Sequence, residues 1–179
     1  MSDIFDGLDD NLDHGETEDS SLPKLRNKFD NAAAARRFIE IPKTVNGSAC
    51  VTLESLKTGT RYTYKISQAR DKETNQPQDC FFVGLLCGPD NSSDYKYIGR
   101  IARSIFWAGR KYAKPGDISP DAPSVRAFSW AWRNLVQEKL PDQLAVWHEG
   151  RCGRCGRRLT VPSSVQSGFG PECINKIFG

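Results

Sequence analysis

The chain reads as an α+β protein. The expected architecture is a small antiparallel sheet packed by one long helix, a C-terminal zinc knuckle with a short helix, and a disordered acidic N-terminal tail. Three observations carry this reading. Apolar residues alternate with polar ones from about residue 38 to 101, then recur at helical spacing from about 121 to 139. Three cysteines, Cys152, Cys155 and Cys173, gather near the C-terminus. The first 22 residues hold eight acids and no Lys or Arg.

A length of 179 residues suits one domain with a small appendage, and 38% apolar residues support a modest core. The longest apolar run, Phe81 to Cys87, is far too short to span a bilayer, so no membrane association is expected. The N-terminus has neither a basic region nor a long apolar region of the secretory kind, which predicts a cytoplasmic protein. Six cysteines in that setting read as thiols or metal ligands rather than a disulfide framework.

Residues 1–31 are expected to be disordered, being rich in Asp, Ser and Gly without sustained periodicity. Within them Ile4, Phe5, Leu8 and Leu12 are spaced for a short amphipathic turn that folds on a partner. The remaining 157 residues carry all 25 bases against 14 acids, a net charge of +11. Such a body attracts polyanions, and the tail is placed to compete for the same surface. A merely solubilising tail is the plainer alternative.

Ala32 to Ala35 predict a helical turn, after which an α+β domain is expected over 37–143. Phe38, Ile39 and Ile41, ahead of Pro42, read as a short first strand, and Val51 and Leu53 as a second. Tyr62, Tyr64 and Ile66 alternate with Arg61, Thr63 and Lys65, the pattern of a half-buried antiparallel strand. Residues 71–79 form a polar loop, and Cys80 to Cys87 a central strand whose terminal thiols are expected to be buried. Residues 88–94 are dense in turn formers, and Tyr95, Tyr97, Gly99 and Ile101 continue as a further strand. The total is a meander of three to five strands.

Ser119 to Ser124 offer helix caps with proline in the first turn. Val125, Phe128, Trp132, Leu135 and Val136 then form a stripe that should pack on the sheet, and Pro141 stops the helix. At 100° per residue, Trp130 points about 140° away from Val125, beside Arg126 and Arg133. It stacks under Arg126, docks on the zinc module, or meets a partner.

The zinc-binding module is expected over 144–179, opening with a strand at Leu144–Trp147. Cys152 and Cys155, each followed by glycine, form a knuckle that turns two sulfurs toward one ion. Cys173 follows Pro171 at the start of a helix running to Phe178, where free amides favour a thiolate. Structural zinc takes four ligands, and His148 is the expected fourth, completing a Cys3His site with one Zn2+ per chain. Glu149 or a water is the alternative. A buried Cys173 without metal, or a redox pair at Cys152 and Cys155, is the competing reading, but a redox pair would open a helix in a βαβ unit.

This segment resembles a zinc-binding module of unknown function common in bacteriophage and prophage proteins. The shared pattern is Cys152, Gly153, Cys155, Gly156, Arg157, Leu159, Thr160, Pro162, Ser164, Gly168, Gly170, Pro171 and Cys173. Residues 88–97 and 121–128 also look like the region that precedes the module in similar phage proteins. The resemblance implies a zinc ion, a phage origin and a treble-clef-like layout, and no activity.

Two basic surfaces stand out. Residues 95–114 interleave aromatics with Lys96, Arg100, Arg103, Arg110, Lys111 and Lys114 and contain no acid. Arg151, Arg154, Arg157 and Arg158 crowd the knuckle. Bases neutralise phosphates and aromatic faces stack on unpaired bases, so nucleic-acid binding is the leading expectation. A solvated face, or a core role for some of the aromatics, is the plainer reading. The alternative function is a protein-binding modulator of a host or phage enzyme, counter-defence included, with zinc purely structural. No phosphate-binding glycine loop, nucleophile elbow or HExxH occurs, so an enzyme is not expected.

Overall fold

The computed structural model describes residues 27–179. The expectations on the acidic stretch and on Ile4, Phe5, Leu8 and Leu12 lie outside those residues. Folded structure begins earlier than expected. Asn27–Lys28 forms a two-residue strand, β1, and Asn31 caps the following helix by accepting a hydrogen bond from the Ala34 amide. That helix, α1, spans Ala32–Glu40. The expected first strand at Phe38–Ile41 is therefore corrected. Ala32, Ala35, Phe38 and Ile39 fall at helical spacing and are all buried, so the alanines and the apolar pair belong to one amphipathic turn series.

Strands β2 (Ser48–Ser55), β3 (Arg61–Arg70), β4 (Pro77–Leu86), β5 (Tyr95–Ala102) and β6 (Ile105–Ala108) form an antiparallel meander. Helix α2 (Pro123–Val136) and strand β7 (Leu144–His148) follow, then α3 (Pro162–Ser167) and α4 (Pro171–Phe178). The sheet has seven strands in the order β1-β7-β2-β3-β4-β5-β6, larger than the meander expected. Strand β7 lies between β1 and β2, so the C-terminal module grows out of the sheet one strand in from its edge.

One face of the sheet is core. Val51, Tyr64, Ile66, Val83 and Ile101 point into it and are buried against α1 and α2. Tyr64 donates to the Ser124 carbonyl at 2.6 Å, and the Trp132 indole donates to the Ser104 carbonyl at 3.0 Å, pinning α2 at both ends of its contact. The single long helix expected is thus a pair: α1 packs against α2 as well as the sheet. That second partner buries more of α2 than one stripe. Trp130, expected on a polar face and offered as a partner contact, is buried and belongs to the core. Lys43 is also buried. Its Nζ donates to the Phe38 and Ile39 carbonyls at 3.0 and 3.1 Å, closing the C-terminal end of α1. Cys87, expected to be buried, is exposed, and Cys50 and Cys80 are half-buried.

The opposite face carries no helix among the described residues. A register shift between β4 and β5 leaves Ile98 extra, so Ile98 stays in the core while Tyr97 and Arg100 both reach this second face.

Candidate metal centre and open sheet face

The knuckle is a tight hairpin. Arg151 pairs with Arg158, the Cys152 amide donates to the Arg157 carbonyl, and the Gly156 amide donates to the Cys152 carbonyl. Gly156 has φ of 74°, a conformation that an L side chain resists, which explains the glycine after Cys155. Helix α4 then delivers Cys173 from its first turn. The sulfurs of Cys152, Cys155 and Cys173 lie within 4.8 Å of one another, and this group could hold a metal ion.

The chemistry of these thiols fits that role. Burial works against ionising Cys152, but amide donors from Gly170, Cys155 and Arg154 outweigh it and hold the thiol below its ordinary range. Cys173 moves the other way. Burial raises it, the Arg154 guanidinium at 3.9 Å offsets part of this, and the neighbouring sulfurs add to the rise, to about 11. Three thiolates side by side repel one another, and a bound cation removes the conflict.

His148 is not part of the cluster, and the expected Cys3His set is corrected to three cysteines among the described residues. Its spacing from Cys152 suits a ligand, but β7 turns the ring into the core, against Phe29 and Phe38 at 5.1 and 5.3 Å. One ring nitrogen, Nε2, lies 2.7 Å from the Val165 carbonyl, and Nδ1 accepts from the Gly150 amide at 3.1 Å. Burial lowers the imidazole pKa, with the Val165 contact opposing, and both ring nitrogens are already engaged by backbone groups. Glu149 is not in the cluster; it lines a second cleft beside the knuckle, together with Lys65, Arg151 and Cys155.

The module is seated by aromatic packing. Phe38 of α1 contacts Phe29, His148 and Phe169, with ring centroids 5.2 to 5.9 Å apart. The Thr44 amide donates to the Arg154 carbonyl at 3.0 Å from the other side. All three cysteines also line a cleft of about 510 Å³, together with Arg154, Arg157, Arg158 and Lys176. Arg157 and Arg158 are exposed and Arg154 is half-buried. Arg151 is exposed, with its guanidinium on the Gly156 carbonyl.

The bases predicted in 95–114 divide. Arg100 is exposed on the open sheet face, in register between Phe82 and Trp107. Arg110 lies over the Tyr97 ring at 4.9 Å and pairs with Asp117 at 2.9 Å. Lys111 is exposed over Tyr112, and Arg103 is exposed in the β5–β6 turn. Phe106 faces the core against Phe128. Phe82 was missed in the sequence, because a continuous apolar run hides which residues face outward. It is 43% exposed, Trp107 is 54% exposed, and Tyr97 meets Phe82 edge-on at 6.1 Å.

No helix among the described residues is long and apolar enough to cross a membrane. No curated protein and no solved structure matches the chain. Residues 143–178, from the turn before β7 to the end of α4, match a family of unknown function, DUF6011.

Proposed function

We propose that this chain is a zinc-stapled accessory protein that binds single-stranded nucleic acid across the open face of its sheet. The observation that carries the reading is the row Phe82, Arg100 and Trp107, three side chains in register on adjacent strands and exposed. Tyr97 and Arg110 extend it, and Lys65 over Tyr95 continues it toward the cleft beside Arg151. Strands lie roughly 4.8 Å apart, so Phe82 and Trp107 stand about 10 Å from each other, with a guanidinium between. Aromatic faces receive unstacked bases and the guanidinium receives the intervening phosphate. Duplex grooves offer no such stacking surface.

Zinc is the metal proposed for Cys152, Cys155 and Cys173, because three clustered thiolates suit a borderline-soft cation without redox chemistry. In this reading the ion is structural, and the resemblance of 152–173 to phage and prophage modules supports a phage-encoded protein working in the host cytoplasm.

The test is the affinity of the whole protein for a fluorescent single-stranded oligonucleotide, measured over a range of salt. Phe82→Ala with Trp107→Ala removes two exposed rings and no charge. Stacking is worth about 1–3 kcal/mol per base, so affinity should fall at least tenfold with the salt slope unchanged. Arg100→Ala with Arg110→Ala should instead flatten the slope by about 0.7 per lost phosphate contact on a single strand. A native protein that binds no nucleic acid at low salt would refute the reading and favour a protein partner on the same face.

A further inference from the structure

The cleft beside the three cysteines is much larger than a metal ion needs, and its other walls are basic. Of its charged lining residues, Arg154, Arg157, Arg158 and Lys176 are cationic and only Glu172 is acidic. No imidazole lines it, and no fourth Cys, His, Asp or Glu ligand atom joins the three sulfurs among the described residues. Zinc and its analogues rarely stop at three ligands. Glu172 is the acid nearest in sequence, but it is exposed, and one residue along a helix from Cys173 turns its side chain about 100° away.

We propose that the metal held by Cys152, Cys155 and Cys173 takes as its fourth ligand an oxyanion of the phosphate type, seated in this basic cleft. The inference rests on the metal assignment made above. Three thiolates leave a divalent ion with a net charge of −1, which by itself would discourage an anion. Four cations around the cleft reverse that balance. Arg154 contributes directly: its Nη1 lies 3.9 Å from the Cys173 sulfur, and the residue lines the same cleft. The start of α4, at Gly170 and Pro171, adds the positive end of a helix to the same wall. Phosphate of this kind comes either from solution or from the end of a nucleic-acid strand. A strand lying on the open sheet face runs toward the knuckle through the cleft lined by Lys65 and Arg151, which Cys155 also borders.

Cobalt(II) in place of zinc reports the ligand set through its visible absorption. The full chain is loaded with cobalt(II), then titrated at constant ionic strength with inorganic phosphate, with a 5′-phosphorylated oligonucleotide, and with the same oligonucleotide bearing a 5′-hydroxyl. A saturable shift of the visible bands with phosphate, and none with the 5′-hydroxyl strand, is expected. A matching shift with the 5′-phosphorylated strand assigns the strand end as the source, and no shift with it assigns free phosphate. Arg157→Ala with Arg158→Ala should weaken the phosphate response about tenfold or more at unchanged cobalt content, the scale of a lost charged hydrogen bond. Bands that ignore phosphate, or that change in Glu172→Gln before any phosphate is added, overturn the proposal while leaving the metal assignment standing. A protein that takes up no cobalt or zinc overturns both.

Discussion

Gly153→Ala is the sharpest probe of how the C-terminal module is seated. A Cβ built on Gly153 meets Cδ2 and Cε2 of Phe38 at 2.6 Å and Cγ at 3.1 Å. Carbon atoms rest about 3.5–4.0 Å apart, so one partner must move by nearly 1 Å. Phe38 cannot yield easily, since Phe29, His148 and Phe169 already surround its ring. Gly153 does not have a positive φ, so the methyl acts through contact and not through the backbone. Gly168, whose Cβ would also strike Phe38, has φ of 80° and would mix the two effects. Overpacking of this kind costs about 1–3 kcal/mol. Phe38→Ala alone should cost about 3–5 kcal/mol by leaving a cavity. In the double variant the new methyl occupies part of that cavity, so the two losses should not add, and the double variant should be more stable than their sum by about 1–3 kcal/mol. Urea unfolding of the four proteins, with zinc held in excess, measures this cycle. Additivity within about 0.5 kcal/mol would refute the packing of the knuckle on α1.

Two further outcomes follow from charge. Eight acids tethered to a body of net +11 act at high local concentration, so deleting residues 1–22 should tighten nucleic-acid binding, most at low salt. Equal affinities at low salt would show that the tail does not screen the basic surface. Burial, only partly countered by the Cys152 sulfur, lowers the Lys43 pKa from 10.5 to about 7. Between those values the unfolded chain holds the proton and the folded chain does not, so this lysine makes stability rise with pH across that window, on the order of a few kcal/mol. Unfolding midpoints of the native chain and Lys43→Met, followed from pH 7 to 10, should converge or cross as the native chain gains; parallel profiles would contradict the burial argument.

Strand β3 and helix α2 were legible because each obeys one period: Tyr62, Tyr64 and Ile66 for the strand, Val125, Phe128, Trp132 and Leu135 for the helix. The helix ends at Val136 and begins at Pro123, within three residues of expectation. Helix α4 over Pro171–Phe178 was legible from its first-turn proline. Helix α1 was legible only in its first turn, Ala32 to Ala35, because Phe38, Ile39 and Ile41 before a proline satisfy a strand pattern as well as a helical one, and only the Asn31 cap and the tertiary contacts decide. That one misreading hid the second packing surface of α2. Strand β1 has two residues and no period to detect. For the cysteine group, spacing found Cys152, Cys155 and Cys173, since knuckle and helix are both local. Spacing failed at His148 because a strand residue's direction depends on the neighbouring strands. Asn27 and Val51 both register with His148, and neither is near it in sequence.

The position of β7 between β1 and β2 bears on how this protein is born. During synthesis the meander from β2 to β6 emerges well before β7, and its own hairpins can close as they leave the ribosome, since each pairs with its immediate successor. Strand β2 then waits with one unpaired flank, beside buried positions such as Val51 and Leu53, until the chain has extended to residue 148. A bare inner edge of that kind invites pairing with other nascent chains. A ribosome that stops early, or a C-terminal segment that fails to fold, leaves that edge open and the Phe38 side of α1 uncovered. The last fifth of the chain, the cysteine module, is therefore the latch that converts a half-built sheet into a finished one, and on the proposed metal assignment a shortage of metal would show first as a lower yield of folded chain.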